Sequence, residues 1–255
     1  MSDTNARTER PEGQATWPAA GVGARVEAPP TKEAGPKRVL GSVGFLLDSV
    51  RRRRAGRLGL WFVVVALALT GIGLLSYPFI TDLWADRIQG DLETQWASTD
   101  PGRIDVYRSD GFQTGEPVTR LRIPSLGVNV LVVEGISGNA LRAGAGHYPT
   151  SSLPGEATGN VGIAGHRTGF GEPFRHLERL SQGDDIWLDT PIGKFRYKVI
   201  GGFDGHPNPW ITTADDWTVV SNTPEPSLTL TTCDPPGTSL HRLIVRAVLD
   251  SVQPA

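Results

Sequence analysis

The 255-residue chain holds a single cysteine, Cys233, and a single methionine. A lone thiol has no partner within its own chain, so a disulfide framework is excluded. The five histidines are scattered and stand apart from that cysteine, which leaves no metal-ligand cluster and implies no cofactor. Lysine is scarce, four residues against 21 arginines. The net charge of -2 hides one local excess, an arginine cluster at 51–54. No basic patch with interleaved aromatics follows it, which sets nucleic acid aside as a partner. There is no internal repeat. Residues 1 to about 37 lack large apolar side chains beyond Trp17 and a few valines. Rich in Gly, Pro, Ala and charge, they cannot bury enough surface to offset the entropy of ordering, and disorder is predicted.

From Arg38 to Val50, apolar residues recur at helical spacing, which predicts a short amphipathic helix on a membrane surface or a cytoplasmic spacer. Arg51 to Arg54 and Arg57 then precede Leu58 to Ile80, 23 residues without a charge. At 1.5 Å per residue such a helix is about 34 Å long, enough to span a hydrocarbon core of roughly 30 Å. The basic N-terminal flank predicts a cytoplasmic N-terminus and an external C-terminal part. The apolar run is too long for a cleaved leader and has no small-x-small site at its far edge, so an uncleaved anchor is expected. The chain therefore divides into a basic cytoplasmic tail (1–57), a membrane helix (58–80), a stalk (81–115) and a globular domain (116–252). Within the stalk, residues 82–97 have helical character, and Trp84 suits the aromatic belt of the outer interface.

The last segment reads as a single all-β core. Val118–Ile123 and Val128–Glu134 are strands joined by the turn Pro124-Ser125-Leu126-Gly127. Asn139–His147 is a glycine-broken helical turn leading to Gly146-His147-Tyr148-Pro149. His147 is expected to be a hydrogen-bonded structural histidine. Val161–Gly165 is a short strand ending at His166, with Gly165 and Gly169 allowing the chain to turn beside it. Phe174, Leu177 and Leu180 predict a short helix. Asp185–Leu188 and Lys194–Phe203 are strands flanking a turn at 190–193. Asp204 to Pro226 is a long proline-rich loop bearing Trp210 and Trp217, of the length usually associated with function.

Ser227 to Thr232 alternates leucine with hydroxyl residues as a half-buried strand does. Asp234-Pro235-Pro236-Gly237 stops it, which puts Cys233 at a strand end beside a loop. A lone cysteine is either a packed hydrophobe or a nucleophile. Outside the cell an unpaired thiol is open to oxidation, which favours a working thiol. Arg242 to Leu249 forms the next strand, and antiparallel pairing brings Arg242 to the same end as Cys233. A guanidinium there can lower the thiol pKa or hold an oxyanion. Arg246 has the same parity and is expected to be a solvated strand arginine.

Thr229-Leu230-Thr231-Thr232-Cys233 followed by Arg242 resembles the signature of the sortase family, and Gly159–Arg167 resembles that family's catalytic-histidine segment. Arg120–Val130 is similar to its opening strands. The resemblance covers about residues 116–250. It implies a closed or nearly closed sortase-type β-barrel with short helices, preceded by one transmembrane helix. It further implies Cys233 as nucleophile, His166 as general acid and base, and Arg242 as oxyanion stabiliser, with Thr229, Thr231, Thr232 and Trp210 binding substrate. The implied reaction is cysteine transpeptidation. A C-terminal sorting signal of an exported protein is cleaved through a thioester, and the acyl fragment passes to an amine of cell-wall peptidoglycan precursor or of a pilin. Water in place of the amine would make a thiol peptidase. A non-catalytic wall-binding β domain would leave Cys233 packed. An L,D-transpeptidase clusters His, Gly and Cys in one short stretch, which this chain lacks. The segments Gly-His-Tyr-Pro and Ile-Ala-Gly-His-Arg look most like class E of actinobacteria, a group preferring LAxTG-type over LPxTG signals, with class D the near alternative. The arginine, Gly and Pro bias suits such a host. Asp234, directly after the cysteine, departs from the pattern but points to the opposite strand face.

Overall fold

The computed structural model describes residues 54–97, 102–109 and 111–254. The disorder expected over 1–37, the amphipathic helix expected over 38–50 and Arg51 to Arg53 lie outside them. Helix α1 runs Arg54–Ala97 without a break and contains Pro78. Proline removes one backbone donor, and one turn later Thr81 Oγ1 donates to the Pro78 carbonyl at 2.8 Å. The part from Gly56 on is long and apolar enough to cross a membrane. A second short helix, α2, spans Gly102–Ser109. Its Tyr107 is buried and donates to the Pro154 carbonyl at 2.9 Å.

Eleven strands follow: β1 (Pro117–Ile123), β2 (Val128–Glu134), β3 (Ala145–His147), β4 (Asn160–Gly165), β5 (Asp185–Thr190), β6 (Gly193–Val199), β7 (Gly202–Phe203), β8 (His206–Pro207), β9 (Trp210–Thr213), β10 (Ser227–Asp234) and β11 (His241–Pro254). Eight of them close a barrel in the order β10-β4-β3-β2-β1-β5-β6-β11, with β11 pairing back onto β10. Closure removes free sheet edges. β11 is long enough to serve both neighbours. Its first half takes β9 along one edge while residues 247–254 pair with β6. The interior is apolar, with Leu121, Ile123, Ile163, Ile186, Leu188, Leu228, Leu230 and Val245 almost wholly buried. The expected all-β barrel is thus observed.

Two local expectations change. Phe174, Leu177 and Leu180 are buried as their spacing predicts, but only Leu177–Arg179 is helical, as one 3-10 turn. An i, i+3, i+6 spacing is the 3-10 period itself. The strand expected over Lys194–Phe203 breaks after Val199, and β7 instead forms a small hairpin with β8. Residues 81–97 are helical, as expected over 82–97. They continue α1, and Ala85 and Leu92 are buried, Leu92 against Leu131, Val133 and Ala143 of the barrel. Trp84 sits under the Arg142 guanidinium, 5.0 Å from ring centre to carbon.

Candidate active site

Strand alternation decides which side chains can meet. In β10 and β11, Leu228, Leu230, Leu243, Val245 and Ala247 belong to the barrel core. Thr229, Thr231, Cys233, Arg242, Ile244 and Arg246 therefore occupy the outer face. The antiparallel register sets Cys233 opposite Arg242. On the other side β4 runs parallel to β10, pairing Thr229 with Gly162 and Thr231 with Ala164. Two residues further along each strand stand Cys233 and His166. One row across three neighbouring strand ends thus carries His166, Cys233 and Arg242. All three line one cleft of about 190 Å³, together with Thr231, Thr232 and Trp217.

Each member is held differently. Arg242 is half-buried and donates through Nη1 to the carbonyls of Ser239 (3.3 Å) and His241 (3.0 Å), which tie it to the hairpin loop. Gly165 precedes His166 because no Cβ fits there, since one would lie 2.4 Å from the Phe174 ring. After the histidine, Gly169 has φ +71°, a turn open to glycine. The imidazole stacks on Phe170 with centroids 5.0 Å apart. Burial lowers its pKa below the ordinary histidine value, so at neutral pH it is an uncharged base. Cys233 itself is free and half-buried, reachable from the cleft.

Asp234 has an ion-pair partner. Arg167, buried beside it, forms an ion pair with Asp234, donates to the Cys233 carbonyl at 3.2 Å and reaches Glu178 at 3.1 Å. In the sequence Arg167 is only the residue after the Gly-His pair, and nothing local announces its role.

The threonines divide. Thr231 accepts or donates with the Tyr148 hydroxyl at 2.9 Å on the cleft floor, and Thr232 donates to the Gly165 carbonyl at 2.8 Å. Thr229, expected to bind substrate, is instead wholly buried, donating to Asn160 Oδ1 at 2.8 Å. Gly162 beside it leaves space that Tyr148, Ser151 and Val220 fill, so no ligand reaches it. Trp210 is also displaced from its expected role. It is 8 % exposed, pairs in β9 with Ile244 and packs with Val219 and Tyr148. Trp217 is the tryptophan at the cleft, 60 % exposed and edge-on to Tyr148. His147 matches its structural reading, bonded to Glu134 at 2.8 Å and buried.

Arg246 is the largest departure. Expected in solvent, it is 1 % exposed, with its guanidinium 4.2 Å over the Phe203 ring and Nη2 donating to the Val219 carbonyl at 2.9 Å. The loop 204–226 covers this part of the outer face. Its short helix Trp217–Val220 is capped by Asp216, which accepts from Thr218 N. Thr212 and Thr218 donate to the same carboxylate and hold its pKa below the usual range. Asn160 Nδ2 binds the Val219 and Ser221 carbonyls, both at 3.1 Å. Desolvation lowers the Arg246 pKa to about 10, still charged at neutral pH.

A sortase-domain family model matches residues 121–250. Sortase SrtE1 of Streptomyces coelicolor is 33% identical over 242 residues, covering 84% of this chain and 64% of that protein, just under two thirds of its length. A crystal structure of sortase E1 from Streptomyces coelicolor with a tripeptide in the active site aligns with TM-score 0.50 at 33% identity, over 56% of this chain and 93% of the other. The SrtF sortase from Corynebacterium diphtheriae aligns with TM-score 0.53 at 29% identity, over 56% and 89%. Closed barrel, motif-bearing strand ends and sequence agree over the same residues, and this chain belongs to the sortase family.

Proposed function

We propose that the chain is a membrane-anchored cysteine transpeptidase acting on exported proteins that carry a C-terminal sorting signal of LAxTG or LPxTG type. The observation that carries this is the row of His166, Cys233 and Arg242 lining one cleft. The neutral imidazole takes the Cys233 thiol proton as Sγ attacks the scissile carbonyl carbon. Negative charge develops on the carbonyl oxygen, where the Arg242 guanidinium stabilises it. The C–N bond breaks, the leaving amine takes the proton back from His166, and a thioester remains. An incoming amine then attacks that thioester and gives its proton to His166; the C–S bond breaks, and the departing sulfur takes that proton back, which returns the thiol and the neutral imidazole. Thr231, Thr232 and Trp217 shape the peptide side of the cleft.

The acceptor is a cell-wall peptidoglycan precursor or a pilin amine. Residues 1–57 lie in the cytoplasm, 58–80 cross the lipid bilayer and the catalytic domain, 116–252, is external. The arginines flanking the apolar run support that orientation. The test is mass spectrometry of the protein incubated with LAxTG and LPxTG peptides without amine. An added mass equal to the acyl fragment on the Cys233 peptide is expected, absent from Cys233→Ala. No adduct with either peptide, at a thiol that alkylates only in denaturant, would return Cys233 to a packing role.

A further inference from the structure

Beyond Ile80, Thr81, Ala85, Ile88, Gln89 and Leu92 recur on one face of α1. That face packs on the barrel at both shoulders of His166. On the first shoulder, Asp82 Oδ1 accepts from Gly171 N at 2.9 Å. Thr81 and Ala85 are buried there, and a Cβ placed on Gly169 would stand 3.3 Å from Thr81 Oγ1. On the second, the Gln89 amide donates to the carbonyls of Ala143 (2.7 Å) and Leu131 (2.9 Å) and accepts from Leu131 N (2.8 Å). The very next carbonyl, that of Gly144, accepts from His166 N at 3.1 Å.

The loop on the first shoulder is held in an unfavourable shape. Gly169, Phe170, Gly171 and Glu172 have φ of +71°, +52°, +75° and +45°, a left-handed run. A non-glycine residue in that region is strained and persists only where its surroundings impose it. Phe170 is the residue stacked on the imidazole. The Asp82 bond to Gly171 N, the Glu172 bond to Gly169 N at 3.0 Å and the Glu172 N bond to the Gly169 carbonyl at 3.1 Å hold that shape, and of these only the Asp82 bond comes from outside the loop.

We propose that the barrel-facing side of α1 just beyond the apolar run, Asp82 and Gln89 above all, is a positioning element for His166. Asp82 fixes the loop that presents Phe170 to the imidazole, and Gln89 fixes the turn whose carbonyl holds the His166 backbone. Neither lines the cleft. The element that contains the membrane span thereby also sets the angle of the acid–base group. This rests on the acyl-transfer reading above for its kinetic arm, though not for its structural one.

The experiment uses the full chain in detergent micelles with a synthetic LAxTG-type peptide and an amine acceptor. Asp82→Ala and Gln89→Glu are compared with Asp82→Asn and Glu93→Gln. A glutamate in place of Gln89 has no donor for the two carbonyls. In Asp82→Asn the amide oxygen would still accept from Gly171 N. Glu93, on the same helix, pairs instead with Arg120 of β1. Kinetics give kcat and KM. NMR titration gives the His166 imidazole pKa, assigned with His166→Gln. Asp82→Ala and Gln89→Glu are expected to lower kcat by about 10- to 100-fold with little change in KM. The His166 pKa should rise towards that of an exposed histidine. Asp82→Asn and Glu93→Gln should match wild type. If Gln89→Glu fails to fold, Asp82→Ala decides alone. Wild-type kcat and imidazole pKa in Asp82→Ala would overturn the proposal, as would an equal kcat loss in Glu93→Gln. A wild-type protein that never acylates Cys233 sinks the acyl-transfer reading, and the NMR titration then decides the positioning role by itself.

Discussion

Cys233 and Arg242 are direct register partners at the loop end of the β10–β11 ladder, on the outer face of the barrel wall. Opposed residues on one sheet face have neighbouring Cβ atoms, so the two side chains leave the sheet side by side, and both line the same cleft. The Arg242→Ala variant is therefore expected to lose a factor of about 10²–10³ in kcat, the size of one oxyanion donor. Its circular dichroism and melting temperature should match wild type, because the side chain bonds only to carbonyls of the exposed loop. A variant keeping more than half of wild-type kcat would remove Arg242 from the mechanism.

Arg246 lies four residues along the same strand face and should behave differently. Its guanidinium is enclosed, and Nε and Nη1 have no hydrogen-bond partner among the described residues. Arg246→Ala leaves a cavity behind Val219 and is expected to destabilise by about 2–5 kcal/mol, as large-to-small core changes do. Arg246→Met keeps the stem volume and buries no charge, so it should cost far less. The Val219 carbonyl retains its bond from Asn160 in both variants. Chemical denaturation of the two variants checks this, and equal stability of Ala and Met would contradict the cavity argument.

These two arginines mark how far the sequence could be read. The ladder follows from leucine alternation in β10 and the Pro-Pro-Gly stop, both local patterns, and the partnership of Cys233 with Arg242 was legible from them. The closed barrel was legible with the aid of the resemblance. What covers the outer face was not. Alternation says that Thr229, Trp210 and Arg246 avoid the barrel core, and such positions are usually wet. Here the loop 204–226 folds over them, held by Asn160 and by Asn208, whose amide bonds the Arg246 backbone. Those contacts join residues tens of positions apart, and no window of sequence contains them. Trp217 and Trp210 look alike in sequence, and only the Asp216 cap and the β9 pairing separate them. The docking of α1 is hidden for a related reason, because polar Asp82 and Gln89 read as stalk residues while their partners are backbone groups of the barrel.

His166 gives an acid-side expectation. Burial holds its folded-state pKa below the unfolded value. Between the two values the unfolded chain binds more protons, so stability rises with pH across that window and is lost as pH falls from about 6.5 through the folded pKa. His166→Gln removes this group. The variant should lose less stability than wild type between about pH 7.5 and pH 5, measured by thermal melts at each pH. A larger loss in the variant would reverse the assigned direction.

Orientation can be tested on whole cells. The arginines before the apolar run favour a cytoplasmic N-terminus. Protease added to intact, wall-stripped cells should digest the domain 116–252 and spare an N-terminal epitope. Survival of the domain with loss of the epitope would invert the topology.

In the proposed acyl transfer, the cleft also bears on which acceptor takes the acyl group. The thioester would form at a half-buried sulfur in a cleft of about 190 Å³, with Trp217 standing exposed at its side. A bound peptide packed against Trp217 would displace much of the water from that space, while an amine entering from the His166 side meets an uncharged imidazole able to take its proton. Aminolysis should therefore outrun hydrolysis. With sorting peptide alone, the Cys233 adduct should persist and decay slowly to the acid. A glycine-like or diamine acceptor at millimolar concentration should discharge it to a ligated product faster than water does. Trp217→Ala should shift the product ratio towards the hydrolysed acid without abolishing the adduct, because it removes the surface a bound peptide would pack on, and the tryptophan takes no part in proton transfer or oxyanion binding. Liquid chromatography with mass detection reads both products from one reaction. If amines never compete with water in the wild-type protein, the chain acts as a thiol peptidase and the ligation step is wrong.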